Sequence, residues 1–135
     1  MYQWITDRLS VSIDDIRRRN RKASEQLREI VNLWFHLAEH APEIMKFLLV
    51  LNVSEFLPEE KPLMATPPFT KILRILQNGI KEGEIKALDA PRAYCHFFGI
   101  IEITLKQVLI GNLTKKASYY QSDAWLSAWS TIVKK

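Results

Sequence analysis

The stretch from Ala90 to Asn112, APRAYCHFFGIIEITLKQVLIGN, constrains the fold more than any other part of the chain. Ala93, Tyr94, Phe97, Phe98, Ile100, Ile101, Ile103, Leu105, Val108, Leu109 and Ile110 occupy most of the circumference of a helix drawn through it. The polar remainder, Arg92, His96, Glu102 and Lys106, forms a narrow strip. A helix apolar nearly all round is buried nearly all round. The chain has 135 residues, enough for one domain and one core. So small a domain can hardly enclose this helix alone, and the expected remaining cover is a second copy of the chain.

The other segments also read as helices. Ile5, Leu9, Ile13 and Ile16 recur at helical spacing, and Leu27, Ile30, Val31, Trp34 and Ala38 repeat the pattern further on. A break is expected between them near Asn20 to Ser24, with Ser24 as a candidate cap. Ala41-Pro42 closes the second helix and opens a short apolar third with Ile44, Phe47, Leu48 and Leu51. The segment Ser54 to Pro68 carries four prolines and reads as a long loop. Thr66 is placed to cap a fourth helix, with Pro67 and Pro68 in its first turn. That helix carries Phe69, Ile72, Leu73, Leu76 and Ile80. Gly83 fits the left-handed position just past a helix end, and Asp89 caps the next helix with Pro91 in its first turn. Gly79 lies inside the fourth helix, where it costs about 1 kcal/mol relative to alanine. Its presence there implies the close approach of another backbone or of a ligand. A last helix is expected after GNLTKKASYYQSD, with Trp125, Trp129, Ile132 and Val133 on one face and small Ala124, Ala128 and Thr131 beside it. The predicted fold class is all-α, about six helices. Two apolar helices at the C-terminal end make half of a four-helix bundle, which a twofold dimer completes.

Composition narrows the function. Hydrophobic residues make up 47% and charged residues 25%, so the chain is expected to be globular. A net charge of +4 is too diffuse to imply nucleic acid by itself. The single cysteine, Cys95, has no internal disulfide partner. Asp7 and Arg8 interrupt any signal peptide, and the densest apolar run, Phe47 to Val53, is too short to span a bilayer. A cytoplasmic protein without membrane partners is expected.

Three segments carry a resemblance: HLAEHAPEIMKFLL (His36 to Leu49), ILQNGIKEGEIKALDAPRAY (Ile75 to Tyr94), and the apolar helix and Trp-rich helix that follow. The chain resembles the C-terminal, effector-binding and dimerisation domain of TetR-family transcriptional regulators over nearly all its length. In that family the GIKEGEIKALD kind of segment joins the helix closing the ligand pocket to the first dimerisation helix. The family's helix-turn-helix signature, I-A-x-x-A-G-V-S followed by Y-x-x-F, is absent here. The resemblance therefore implies a homodimer and a small, mostly apolar effector, with DNA contacted only through a helix-turn-helix not present in this chain. The implied pocket walls are Trp34, Phe35, Phe47, Leu48, Phe69, Leu73, Leu76, Gly79, Phe97 and Phe98. Asn52, Gln77 or His96 would supply polar contacts, and the Pro-rich loop a gate. The implied dimer interface is Ile103, Gln107, Ile110, Trp125, Ala128, Trp129 and Ile132.

Other features carry less. RRRNRK, Arg17 to Lys22, could touch phosphates, but a solvated helix end is the preferred reading. His36 and His40 share a helical face with Glu43 a turn on, which lacks a further metal ligand. No metal and no cofactor are expected. Cys95 and His96 are adjacent and diverge, and no phosphate loop, carboxylate pair or serine elbow is present. Nothing argues for catalysis. The alternative to a ligand sensor is a dimerisation-only module that pairs with full-length regulators.

Overall fold

The computed structural model describes residues 2–49 and 66–135. These form six α-helices: α1 (Tyr2–Arg19), α2 (Ala23–His40), α3 (Pro42–Leu49), α4 (Pro67–Glu82), α5 (Ala90–Leu109) and α6 (Ala117–Ile132). No strand occurs among the described residues, so the chain is all-α as its sequence predicts.

The α1–α2 break falls where the polar run Asn20 to Lys22 interrupts the apolar stripe. Asn20 closes α1 by donating its side-chain amide to the Ile16 carbonyl at 2.9 Å, satisfying one of the carbonyls a helix end leaves open. Lys22, not Ser24, occupies the N-cap of α2, and Glu25 reaches back to accept its N–H at 3.2 Å. Ser24 is drawn elsewhere: its hydroxyl donates to Glu84 at 2.6 Å, tying the start of α2 to the connector after α4.

Helix α2 is the axis of the fold and packs against all five others. It buries Leu27, Ile30, Val31, Trp34, Phe35 and Ala38. Helix α1 lies against α4, where Lys71 Nζ donates to Ser10 Oγ at 2.6 Å and to Asp14 Oδ2 at 2.8 Å. That bond holds the Asp14 carboxyl below the usual carboxylate range. Helix α4 ends at Gly83, which adopts φ +87°, a conformation that only glycine takes without strain. The N–H groups of Glu84 and Ile85 then both return to the Gly79 carbonyl, at 3.0 and 3.1 Å. The connector goes on to pair with the C-terminal end, Lys86 N–H donating to Ile132 O at 2.9 Å and Lys134 N–H to Glu84 O at 3.0 Å. Asp89 caps α5 by accepting the Arg92 N–H at 2.9 Å.

Two boundaries depart from expectation. Helix α6 begins at Ala117, so ASYYQSD is its first two turns and not a connector. Buried Ala117 fixes that phase, because it repeats the inner spacing of Ala124 and Ala128. Helix α5 stops at Leu109, with Gly111 at φ +90° making the turn.

Candidate functional site

The aromatic residues predicted for a pocket meet in the interior. Trp34 and Phe69 join α2 to α4 with ring centroids 6.3 Å apart. Phe97 and Phe98 meet edge to face at 4.8 Å, and Phe97 continues to Trp125 of α6 at 5.6 Å. Trp34, Phe35, Phe69, Leu76, Phe97 and Phe98 are each at most 1% exposed. A side chain with no accessible surface borders no void the size of a water molecule, so these six are tightly packed core. Leu48 is also buried, whereas Phe47 and Leu73 are half-buried.

Gly79 is a packing residue and not a pocket wall. A Cβ added there would lie 2.6 Å from Ile85 Cδ1 and 2.9 Å from Ala23 Cβ. The absent side chain thus lets the first turn of α2 and the connector close on α4. Gln77 and His96 point outward, away from the interior. Asn52 and the loop from Ser54 to Ala65 lie outside the described residues.

One polar pair sits at the edge of the core, and the sequence did not disclose it. Glu102 leaves the outer strip formed by Arg92, His96 and Lys106, and accepts the Tyr94 hydroxyl at 2.7 Å. Tyr94 is buried and stacks on Phe98 at 4.8 Å. Burial raises the Glu102 carboxyl above the ordinary glutamate range, and the smaller effect of the tyrosine hydrogen bond pulls it back down. Burial, reinforced by the nearby carboxylate, also pushes the Tyr94 phenol upward, so it remains a neutral donor. The signal that could have found the pair is the spacing Tyr94, Phe98, Glu102, which follows one helical edge.

This pair has a consequence for pH. Because the folded state holds the Glu102 proton more tightly than the unfolded chain, its contribution is complete below about pH 4.3, the free glutamate value. It is lost as pH rises through the raised value. Glu102→Gln, which keeps an acceptor for Tyr94, should therefore gain on the parent chain between pH 4 and pH 7. The gain at pH 7 should be about 1 kcal/mol, read from urea unfolding at several pH values. A difference independent of pH would show that the carboxyl is not strained by its surroundings.

The residues predicted for a dimer interface divide into three groups. Ile103 on the outer face of α5 is 62% accessible and Ile110, its C-cap, 50%, with Gln107 half-buried between them. Trp125 and Trp129 are half-buried and stack on each other at 5.6 Å, with the Arg28 guanidinium over the Trp125 ring at 5.6 Å. Ala128 and Ile132 are wholly buried inside the protomer. They turn inward with Ala117 and Ala124 and leave no surface for a second subunit. Two residues outside the predicted set, Tyr119 and Leu126, are instead 69% and 66% exposed. Tyr119, Ser122, Leu126 and Ser130 share the outer side of α6. The tryptophans, expected on the contact stripe, instead flank the inner face. Beside Ile103 a shallow groove of about 460 Å³ runs between Cys95, His96, Gly99, Ile100 and Thr104.

His36 and His40 place their rings 4.5 Å apart, and His40 Nε2 lies 3.6 Å from Glu39. Among the described residues no three His, Cys, Asp or Glu side chains converge as a metal site would require, and no helix is long and apolar enough to cross a membrane. The chain matches no protein-family model, no curated protein and no solved structure.

Proposed function

We propose that this chain is a regulatory module similar to TetR-family C-terminal domains, which homodimerises through α5 and α6 and responds to a small, mostly apolar effector. The observation that carries the dimer is the exposure of large apolar side chains on two helices that pack against each other. Ile103, Tyr119 and Leu126 lie on the outer faces of two adjacent helices, with Ile110 at the end of the first. Exposed apolar surface of that kind on a small protein marks an interaction surface, and its presence on two adjacent helices suits a twofold four-helix contact. The effector would act by favouring one of two arrangements of the core, which it can do only through different affinities for the two. Control of transcription would pass to a DNA-binding unit outside this chain.

A second proposal, dimerisation without a ligand, is favoured by the tight packing of the six core residues named above. Native mass spectrometry separates the two. A dimer carrying a reproducible small-molecule mass supports sensing, a clean dimer supports pairing alone, and a monomer refutes both.

The interface has its own test. Ile103→Glu combined with Leu126→Glu places charges on exposed positions, so the protomer should stay folded by circular dichroism. The dimer should weaken by at least about 100-fold in dissociation constant, about 2.7 kcal/mol, in sedimentation equilibrium. An unchanged dimer would move the interface away from α5 and α6.

A further inference from the structure

Three segments far apart in sequence bring their cations to one end of the helical assembly. The first is the α1–α2 corner with Arg17, Arg21 and Lys22; the second is the end of α4 and its connector with Lys81 and Lys86; the third is the C-terminal Lys134 and Lys135. The contacts that gather them are specific. Ser24 Oγ donates to Glu84 at 2.6 Å, Lys86 N–H donates to Ile132 O at 2.9 Å, and Lys134 N–H donates to Glu84 O at 3.0 Å. Lys134 Nζ comes within 3.9 Å of the position a Gly83 Cβ would take. Arg17 and Arg18 also line a cleft of about 430 Å³ with Asp14, Gln26 and Asn78, which joins α1, α2 and α4.

Most acids at this end are already engaged. Asp14 is held by Lys71, Asp15 by Arg18, Glu29 by Arg19, and Glu84 by Ser24. Glu25 accepts the Lys22 N–H, and Glu82 is exposed. Arg21, Lys22, Lys81, Lys86, Lys134 and Lys135 are exposed and make no direct ion pair among the described residues.

We infer that this end is a docking surface for the phosphate backbone of a nucleic acid, bound without regard to sequence. Among the described residues no large exposed apolar side chain stands among these cations, and that selects the partner. The exposed ones lie elsewhere, at Trp4 and Val11 on α1 and on the outer faces of α5 and α6. A protein interface needs an apolar centre, and stable attachment to a membrane needs apolar insertion beside the charge. A polyphosphate needs cations alone, and guanidinium groups match phosphate geometry. Side chains that meet phosphates position a protein but read no bases. This surface is separate from the dimer face and from the core, so it stands or falls independently of the proposed regulation.

The test is fluorescence anisotropy of the full chain with a labelled duplex of about 20 base pairs and scrambled sequence. About four contacted phosphates would weaken binding roughly 100-fold between 50 and 200 mM NaCl. Two charge-reversal pairs, Arg21→Glu with Lys22→Glu and Lys86→Glu with Lys134→Glu, should each lower affinity at least about tenfold at 50 mM NaCl. Lys46→Glu with Lys116→Glu, in α3 and at the N-cap of α6, makes the same change in net charge and should have little effect. Circular dichroism of every variant guards against unfolding. No binding at 25 mM NaCl overturns the inference. So does equal weakening by the control pair, which would reduce the effect to bulk charge, or loss with the Arg21 pair only, which would reduce it to a local run. Binding to phosphatidylserine vesicles but not to the duplex overturns it in favour of a lipid surface.

Discussion

Replacing Phe97 with alanine should lower the stability of the fold by about 3–5 kcal/mol, the range for deleting a buried aromatic ring. Phe97 is fully buried, meets Phe98 edge to face, and reaches Trp125 across the α5–α6 seam. Those ring contacts add about 0.5–1.5 kcal/mol each beyond simple burial. The neighbouring rings are themselves packed and have little freedom to fill the hole. The loss is a large share of the 5–15 kcal/mol that holds a typical domain together. Because the ring joins α5 to α6, the damage should also reach the proposed interface. Dimerisation of Phe97→Ala should weaken although no exposed residue changes, whereas Ile103→Glu should weaken the dimer at nearly unchanged protomer stability. Urea unfolding at several protein concentrations distinguishes the two patterns. A cost below about 1 kcal/mol for Phe97→Ala would mean that α6 is only loosely attached.

The junction between α4 and α5 was legible in the sequence because it is set by local chemistry. Gly83 alone can take the positive φ that stops α4, and Asp89 alone near that point can accept the Arg92 N–H that starts α5. Both assignments rest on residues within one turn. Facing was less legible. Helix α6 is apolar on two sides, and periodicity does not say which side is inner. The small side, Ala117, Ala124, Ala128 and Ile132, is the one that nests against the protomer. That leaves Leu126 and Tyr119 exposed on the outer side and the two tryptophans at its margin. Glu102 eluded the polar-strip reading for a related reason. A position at the margin of an apolar face can turn inward if a donor waits there, and the hydroxyl that draws it belongs to Tyr94, two turns earlier on the same helix. The basic end was illegible in kind. Lys86 and Lys134 come together only through the pairing of the connector with the C-terminal end, and the Ser24–Glu84 bond adds the α1–α2 corner with Arg21, which no local pattern encodes.

Gly79 shows the same division between local and tertiary causes, and its substitution has a large predicted effect. In an isolated helix alanine would be better by about 1 kcal/mol. Here the added methyl would sit 2.9 Å from Ala23 Cβ, an atom fixed to the backbone of α2 that has no rotamer to escape into. It would also sit 2.6 Å from Ile85 Cδ1, which can swing aside only within a buried site pinned by the pairing with Val133. Overpacking of this kind costs about 1–3 kcal/mol, so the clash outweighs the propensity gain. Gly79→Ala should therefore be destabilised by about 1 kcal/mol, or about 3–5 °C in Tm. Gly79→Leu has to push α2 and the connector apart and should lose about 3 kcal/mol or more, enough to leave much of the chain unfolded at 37 °C. A double-mutant cycle identifies the cause. Ile85→Val removes the Cδ1 atom nearest the new methyl, so Gly79→Ala should cost less in that background, with the coupling energy reporting the relieved contact. If Gly79→Ala instead raises Tm, α2 and α4 are not in close contact at this crossing. The glycine would then need a different explanation, and the ligand wall first expected of it would be the one to examine.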